Sequence, residues 1–219
     1  TVYGLVGTVS ATPFAYAAGD PADGGIGYAH QLTLEPKTSG SFSGHVGAWS
    51  WEDNSLFGGE GQGTEPVGWT HPSHWLALRV QQDMNVTITM SRDAEVPSAA
   101  PSAPPELNGK ADTASMFPSF TIWNNWDNDG NDTHTYNNRG NVDWAEDLVY
   151  KDHVDNSTEE AITRTYFLRA GDYTMALGSN APANNTNRQG YKISFAATAV
   201  SKGDPATGGI GYAYTVIAG

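Results

Sequence analysis

The segment VGWTHPSHW, residues 67 to 75, holds two tryptophans and two histidines in a chain that has seven Trp and six His among 219 residues. In an extended strand, residues two apart point to the same side, so Trp69 and His71 are expected to project together. Pro72 favours this geometry because it steers His71 away from helical dihedrals. Imidazole binds Cu, Zn, Fe and Ni. The spacing is compatible with a metal site and also with an ordinary packed strand.

The segment NNWDNDG, residues 124 to 130, offers oxygen ligands at alternating positions. Asn125, Asp127 and Asp129 resemble the first half of a calcium loop. Tyr136 occupies the twelfth position, where a standard EF-hand has a bidentate Glu, so an EF-hand is not expected. Asp127 and Asp129 are therefore candidate calcium ligands, and a solvated acidic loop is the alternative.

The remaining histidines divide into one candidate ligand and three packing or surface residues. His134 follows the acidic segment, in a region that could fold over the sheet towards His71. His30 fits a partly buried packing position, and His45 is interpreted as packing or as lining a pocket near the site. His153 lies between acidic residues and is interpreted as a surface residue.

Several functional classes are excluded or unsupported by composition. The chain has no cysteine, which excludes disulfides, thiolate metal sites and thiol nucleophiles. There is no GxSxG elbow and no HExxH helix, so enzyme chemistry is not supported. A formal charge of -13 repels nucleic acids and anionic lipids and favours cations. The start TVYGLVG, without an initiator Met, suggests a processed mature protein and hence secretion.

Short alternating segments predict an all-β fold, an antiparallel, jelly-roll-like β-sandwich with long loops and at most one or two short helices. Residues 76–80 and 86–90 predict a hairpin with its turn at QDMN, and residues 141–155 are the one helix candidate. The Pro-rich residues 95–112 are interpreted as a surface loop, so residues 1–219 are expected to form a single domain. The near-identical repeats at 19–30 and 203–214 are interpreted as Gly-rich turns that enter strands.

Five segments, covering roughly residues 28 to 200, resemble the copper-repressible, surface-associated copper(I)-binding proteins of methane-oxidising bacteria, the CorA and MopE family. They are HVGAWSWEDNSLFGGEG, VGWTHPSHW, MFPSFTIWNNWDNDG, HTYNNRGNVDWAEDLVY and RAGDYTMALGSN. The resemblance implies that a tryptophan of a Trp-x-His motif is oxidised to kynurenine, which joins two histidines around Cu(I). The repeats at the two ends of the chain depart from the family pattern.

On that resemblance, Trp69 is the oxidised residue, His71 the first imidazole ligand and His134 the second, with His74 and His45 as alternatives. The family also implies a di-haem cytochrome c peroxidase-like partner that oxidises the tryptophan outside the cytoplasm. The implied function is copper acquisition or storage without catalysis, at the cell surface or after secretion.

The residue chemistry agrees with this expectation. Cu(I) usually takes sulfur donors, but the chain has no Cys, and Met90 and Met175 fall on inward-facing strand positions. An intact indole has no lone pair for a metal, whereas ring opening to kynurenine exposes an aromatic amine. The alternative function is a secreted, calcium-stabilised carbohydrate-binding module, in which exposed Trp and Tyr rings stack on sugars.

Overall fold

The computed structural model describes residues 26–48, 50–51, 73–93, 116–128, 138–142, 145–180 and 188–200. These ranges contain nine strands: β1 His30–Leu34, β2 Ser39–Gly47, β3 His74–Val80, β4 Met84–Arg92, β5 Pro118–Asn124, β6 Val149–Val154, β7 Ala161–Leu168, β8 Gly171–Ser179 and β9 Arg188–Ala199. The described residues form no α-helix, and they include no helical segment with the length and apolar character needed to span a bilayer.

The strands form two sheets that face each other as a sandwich, which confirms the predicted fold class. One sheet has the order β1-β3-β8-β5-β6, and the other has the order β2-β9-β4-β7. The antiparallel prediction is wrong at one pair, because β1 runs parallel to β3, with His30 opposite Leu76. Alternation reports which face a side chain occupies but carries no information on strand direction.

Alternate side chains of both sheets fill the space between them. Leu76 and Leu78 of β3 meet the same apolar cluster as Ile193 and Phe195 of β9. Met90 and Met175 are fully buried in this central core, as their inward-facing positions predict.

A second apolar cluster covers the other face of the five-stranded sheet. Trp75 and Ala77 alternate with the inward residues of β3 and belong to this outer cluster. Trp75 stacks on Trp123 of β5 with ring centroids 5.6 Å apart, and the Arg79 guanidinium lies 4.4 Å from the centre of the Trp126 ring. β3 is therefore covered on both faces.

The predicted hairpin of residues 76–80 and 86–90 is wrong. β3 pairs with β1 and β8, whereas β4 pairs with β7 and β9 in the opposite sheet. The chain crosses between the sheets at residues 81–83, where the Gln81 amide donates to the Leu34 carbonyl. Two consecutive strands with alternating apolar residues can bury the same core in two ways. They can pair as a hairpin in one sheet, or they can lie in the two opposite sheets of a sandwich, and the alternation does not distinguish these arrangements.

The helix candidate at 141–155 is wrong where the structure describes it. Val149–Val154 form β6, which pairs with β5, and Leu148 is buried in the outer cluster. Asn141 does not cap a helix, because its side-chain oxygen accepts from the Tyr150 amide at 2.8 Å. The β-branched and aromatic residues of this stretch suit a pleated strand better than their helical spacing suggested.

Several other predictions fall on residues that the structure leaves undescribed. They concern residues 19–25, residues 95–112 and the second repeat at 203–214. The single-domain interpretation also remains a prediction.

Two phenylalanines provide a matched test of the central core. Phe195 is 1% exposed and Phe167 is 49% exposed, so Phe195→Ala is expected to lower the free energy of unfolding by about 3–5 kcal/mol. Phe167→Ala is expected to change it by less than about 1 kcal/mol. Urea unfolding of both variants measures the difference. Equal losses would contradict the assignment of Phe195 to the core.

Candidate metal centre

The three residues predicted to bind copper lie outside the described residues. Trp69 and His71 belong to the undescribed range 52–72, and His134 belongs to 129–137. His71 precedes the first residue of β3 by three positions, a chain span of at most about 11 Å. The structure thus describes the strand that follows the Trp-x-His motif.

His74, an alternative ligand, begins β3 and is only 1% exposed. Its Nδ1 lies 2.7 Å from the hydroxyl of Tyr191 and 3.3 Å from Nε2 of His30. The Tyr191 hydroxyl lies 3.2 Å from the same nitrogen of His30. These three side chains, the His-Tyr cluster, bring two nitrogens and one oxygen within hydrogen-bonding distance of one another.

Strand register creates the His-Tyr cluster. His74 shares a face with Leu76 and Leu78, and His30 begins β1, which lies beside β3. Tyr191 belongs to β9 of the opposite sheet. The cluster therefore joins the two sheets at one end of the central core.

Two residues of β2, a glycine and a phenylalanine, lie against the cluster. Gly44 lies opposite Tyr191, and a Cβ on Gly44 would come within 2.8 Å of the tyrosine hydroxyl. Phe42 packs against His30, with ring centroids 4.3 Å apart. Gly44 thus leaves the space that the phenol occupies, and Phe42 holds one imidazole in place.

Burial keeps His30 and Tyr191 neutral at pH 7. Desolvation, followed by repulsion from the charge of His74, lowers the pKa of His30 from 6.5 to about 3. Burial raises the pKa of Tyr191 well above 10. His30 therefore presents an unprotonated nitrogen at neutral pH, and the phenol of Tyr191 keeps its proton.

Sequence reasoning missed this cluster. It treated His30 as packing and did not consider Tyr191. The signal was the alternation of His30 with Leu32, and of His74 with Leu76, which places both imidazoles on inward faces. The parallel pairing of β1 with β3, which brings the two together, was absent from the pattern.

The other alternative ligand, His45, is placed differently. It is buried at 2% exposure near the end of β2, opposite Gly190. The next residue, Val46, belongs to the central core, so strand alternation turns His45 towards the opposite face. His153 is partly exposed on β6, where its ring stacks on Trp51 and contacts the Tyr150 hydroxyl.

The described residues provide no support for calcium. Asp127 is fully buried, and its Oδ2 accepts a hydrogen bond from the Ile26 amide at 2.9 Å. The Asp127 amide donates to the Tyr28 hydroxyl, which ties this residue to the packed outer cluster. Asp129 is not described, and no three His, Asp or Glu side chains within the described ranges gather around a common point.

Comparison with known proteins finds structural neighbours only. No protein-family model and no curated protein matches the sequence. CorA of Methylomicrobium album BG8, a surface-associated copper-binding protein important in copper acquisition, matches with a TM-score of 0.50 and 13% identity, over 79% of this chain and 98% of that one. This likeness shows a shared fold.

Two further solved structures are more distant. MopE, a secreted protein of Methylococcus capsulatus in which an oxidised tryptophan facilitates copper binding, matches with a TM-score of 0.40 and 13% identity, over 81% of this chain and 87% of that one. A pre-peptidase C-terminal domain of a Bacillus anthracis collagenase matches with a TM-score of 0.35 and 9% identity, over 81% of this chain and 98% of that one. Neither adds evidence on function.

The lowered pKa of His30 predicts a pH-dependent stability in the metal-free protein. The unfolded chain protonates His30 near pH 6.5 and the folded chain only near pH 3, so the unfolded state binds more protons between these values. The stability owed to a neutral His30 is complete above about pH 7 and falls as the pH drops towards 3.

The variant His30→Gln tests this pH dependence, because its side chain keeps a polar group near the Nε2 position but does not bind a proton in this pH range. Urea unfolding from pH 7 to about pH 4 should therefore show the advantage of the wild type over the variant shrinking. An advantage that stays constant across this range would contradict the lowered pKa.

Proposed function

We propose that this protein binds copper(I) outside the cytoplasm, at the cell surface or after secretion, and serves in copper acquisition or storage and not as an enzyme. The metal is held by a kynurenine formed from Trp69, by His71 and by His134. The observation that carries the proposal is the Trp-x-His spacing of residues 69 to 71, three positions ahead of β3. The fold shared with CorA supports it.

The donor set fits a soft monovalent ion in a chain without thiols. The sequence has no Cys, and Met90 and Met175 are fully buried in the central core. Nitrogen ligands therefore take the place of the sulfur that Cu(I) usually prefers. The formal charge of -13 attracts cations in general, and the nitrogen donors provide selectivity.

Ring opening makes Trp69 a ligand. Cleavage of the indole C2–C3 bond inserts two oxygen atoms and gives N-formylkynurenine, and hydrolysis then releases formate and leaves an aromatic amine. The two oxygen atoms come from two equivalents of hydrogen peroxide, which are reduced to water, and we propose that a di-haem cytochrome c peroxidase-like partner catalyses this reaction. His71, two residues on, lies within reach of the same ion in an extended chain.

The carbohydrate-binding alternative has little support from the described residues. Stacking on sugars requires exposed aromatic rings, and the four described tryptophans are all buried. They are Trp51, Trp75, Trp123 and Trp126. Calcium, the second part of that alternative, has no described ligand set, so we do not propose it.

The proposal predicts a mass change at one tryptophan. Protein isolated from its native source, or made with the oxidising partner, is expected to carry a gain of about 4 Da on the peptide that contains Trp69, because kynurenine replaces tryptophan. Peptides with the other tryptophans serve as internal controls and are expected to retain their unmodified mass. Unmodified Trp69 in protein purified with bound copper would contradict the kynurenine ligand.

The ligand assignment predicts a loss of copper affinity. His71→Asn and His134→Asn are each expected to weaken Cu(I) binding at least about tenfold, since each removes one imidazole donor. His153→Asn is the matched control and is expected to bind as the wild type does. Competition with a Cu(I) chelator measures the affinities. Wild-type affinity in both ligand variants would refute the site.

A further inference from the structure

We propose that His30, His74 and Tyr191 form a second metal site, which takes a divalent transition-metal ion of the kind that imidazole binds, with zinc(II) as the probe. The site uses none of Trp69, His71 and His134, the residues proposed for copper. It goes beyond the proposed function in both the metal and the donor set.

The geometry of the three donor atoms suits a metal ion without rearrangement. The edges of the triangle formed by His30 Nε2, His74 Nδ1 and the Tyr191 hydroxyl oxygen measure 3.3, 2.7 and 3.2 Å. A point just outside the plane of the triangle lies about 2.0 Å from all three atoms, which matches zinc-nitrogen and zinc-oxygen bond lengths. The three donors thus form one face of a tetrahedral site.

Metal binding at the cluster requires that one proton be released, from the hydroxyl of Tyr191. The two imidazoles coordinate as neutral donors, with their protons on the ring nitrogens that face away from the ion. Tyr191 forms a zinc-oxygen bond through its phenolate, and its proton passes to solvent, so one zinc(II) bound releases one proton. The charge left in the site is +1, lower than that of the free ion.

The protein positions the donors before any metal arrives. The three side chains come from β1, β3 and β9, so both sheets fix their separation. Phe42 packs on His30, and the absence of a side chain on Gly44 makes room for the phenol. Ligands held by rigid strands lose little freedom on binding, which favours affinity.

Zinc(II) titration of the metal-free full-length chain tests the proposal. We expect one zinc ion to bind per chain at the cluster, accompanied by the ultraviolet difference band of tyrosinate at neutral pH. His30→Gln and His74→Asn are expected to weaken binding at least tenfold. Tyr191→Phe is expected to remove the tyrosinate band while the phenyl ring still fills the core.

Two controls separate this site from the copper site and from general cation attraction. His71→Asn is expected to bind zinc as the wild type does, and so is His153→Asn, in which a histidine that contacts another tyrosine is replaced. Circular dichroism checks that each variant is folded. His30 is partly exposed and begins an edge strand, so His30→Gln is expected to disturb the core less than the other substitutions.

Three outcomes would overturn the proposal. The first is the absence of zinc binding by the folded wild type, which would make the cluster a hydrogen-bonded clamp between the sheets. The second is unchanged affinity in both His30→Gln and His74→Asn. The third is a dependence on His71, which would assign the ion to the other site. Loss of the copper site alone leaves this proposal standing, and the reverse also holds.

Discussion

Burial of β3 on both faces is the constraint on which the candidate metal chemistry depends. Leu76 and Leu78 face the central core, while Trp75 and Ala77 face the outer cluster. A slip of one residue would place the indole of Trp75 between the sheets and turn His74 away from the opposite sheet. The large difference in volume between the two faces therefore fixes the register, and the register determines which imidazole meets Tyr191.

The same constraint determines where the Trp-x-His motif joins the fold. The motif precedes an interior strand, one that has β1 on one side and β8 on the other. The Ala29 amide donates to the Trp75 carbonyl at 2.9 Å, so hydrogen bonding continues beyond the first residue of β1. The segment that contains the Trp-x-His motif is therefore attached at its C-terminal end to a strand that is hydrogen-bonded on both sides.

Much of the fold could be predicted from the sequence because alternation reports burial directly. It identified the all-β class and the inward positions of Met90 and Met175. It could not assign strands to sheets, since crossing at residues 81–83 and turning into a hairpin bury the same side chains. It also could not exclude a helix at 141–155, where short-range spacing competes with the pairing of β6 and β5, a contact between distant residues.

Local spacing suggested part of the candidate copper site, which remains a prediction. Trp69 and His71 are two positions apart, so their residue types and spacing suggested that they bind one metal ion. The His-Tyr cluster joins residues from positions 30, 74 and 191, and no local pattern connects them. The contact between His30 and His74 depends on the parallel pairing of β1 with β3, which alternation does not encode.

The position of β9 in the four-stranded sheet has a consequence for biosynthesis. β9 lies between β2 and β4, although it follows them by about a hundred residues or more. Until residues 188–199 have been synthesised, those two strands lack their shared neighbour, and β2 has no other partner among the described strands. The sheet, and with it the phenol of Tyr191, is therefore completed late. The four-stranded sheet can therefore be completed only once residues 188–199 have emerged from the ribosome, and the contact of Tyr191 with His30 and His74 forms at that stage.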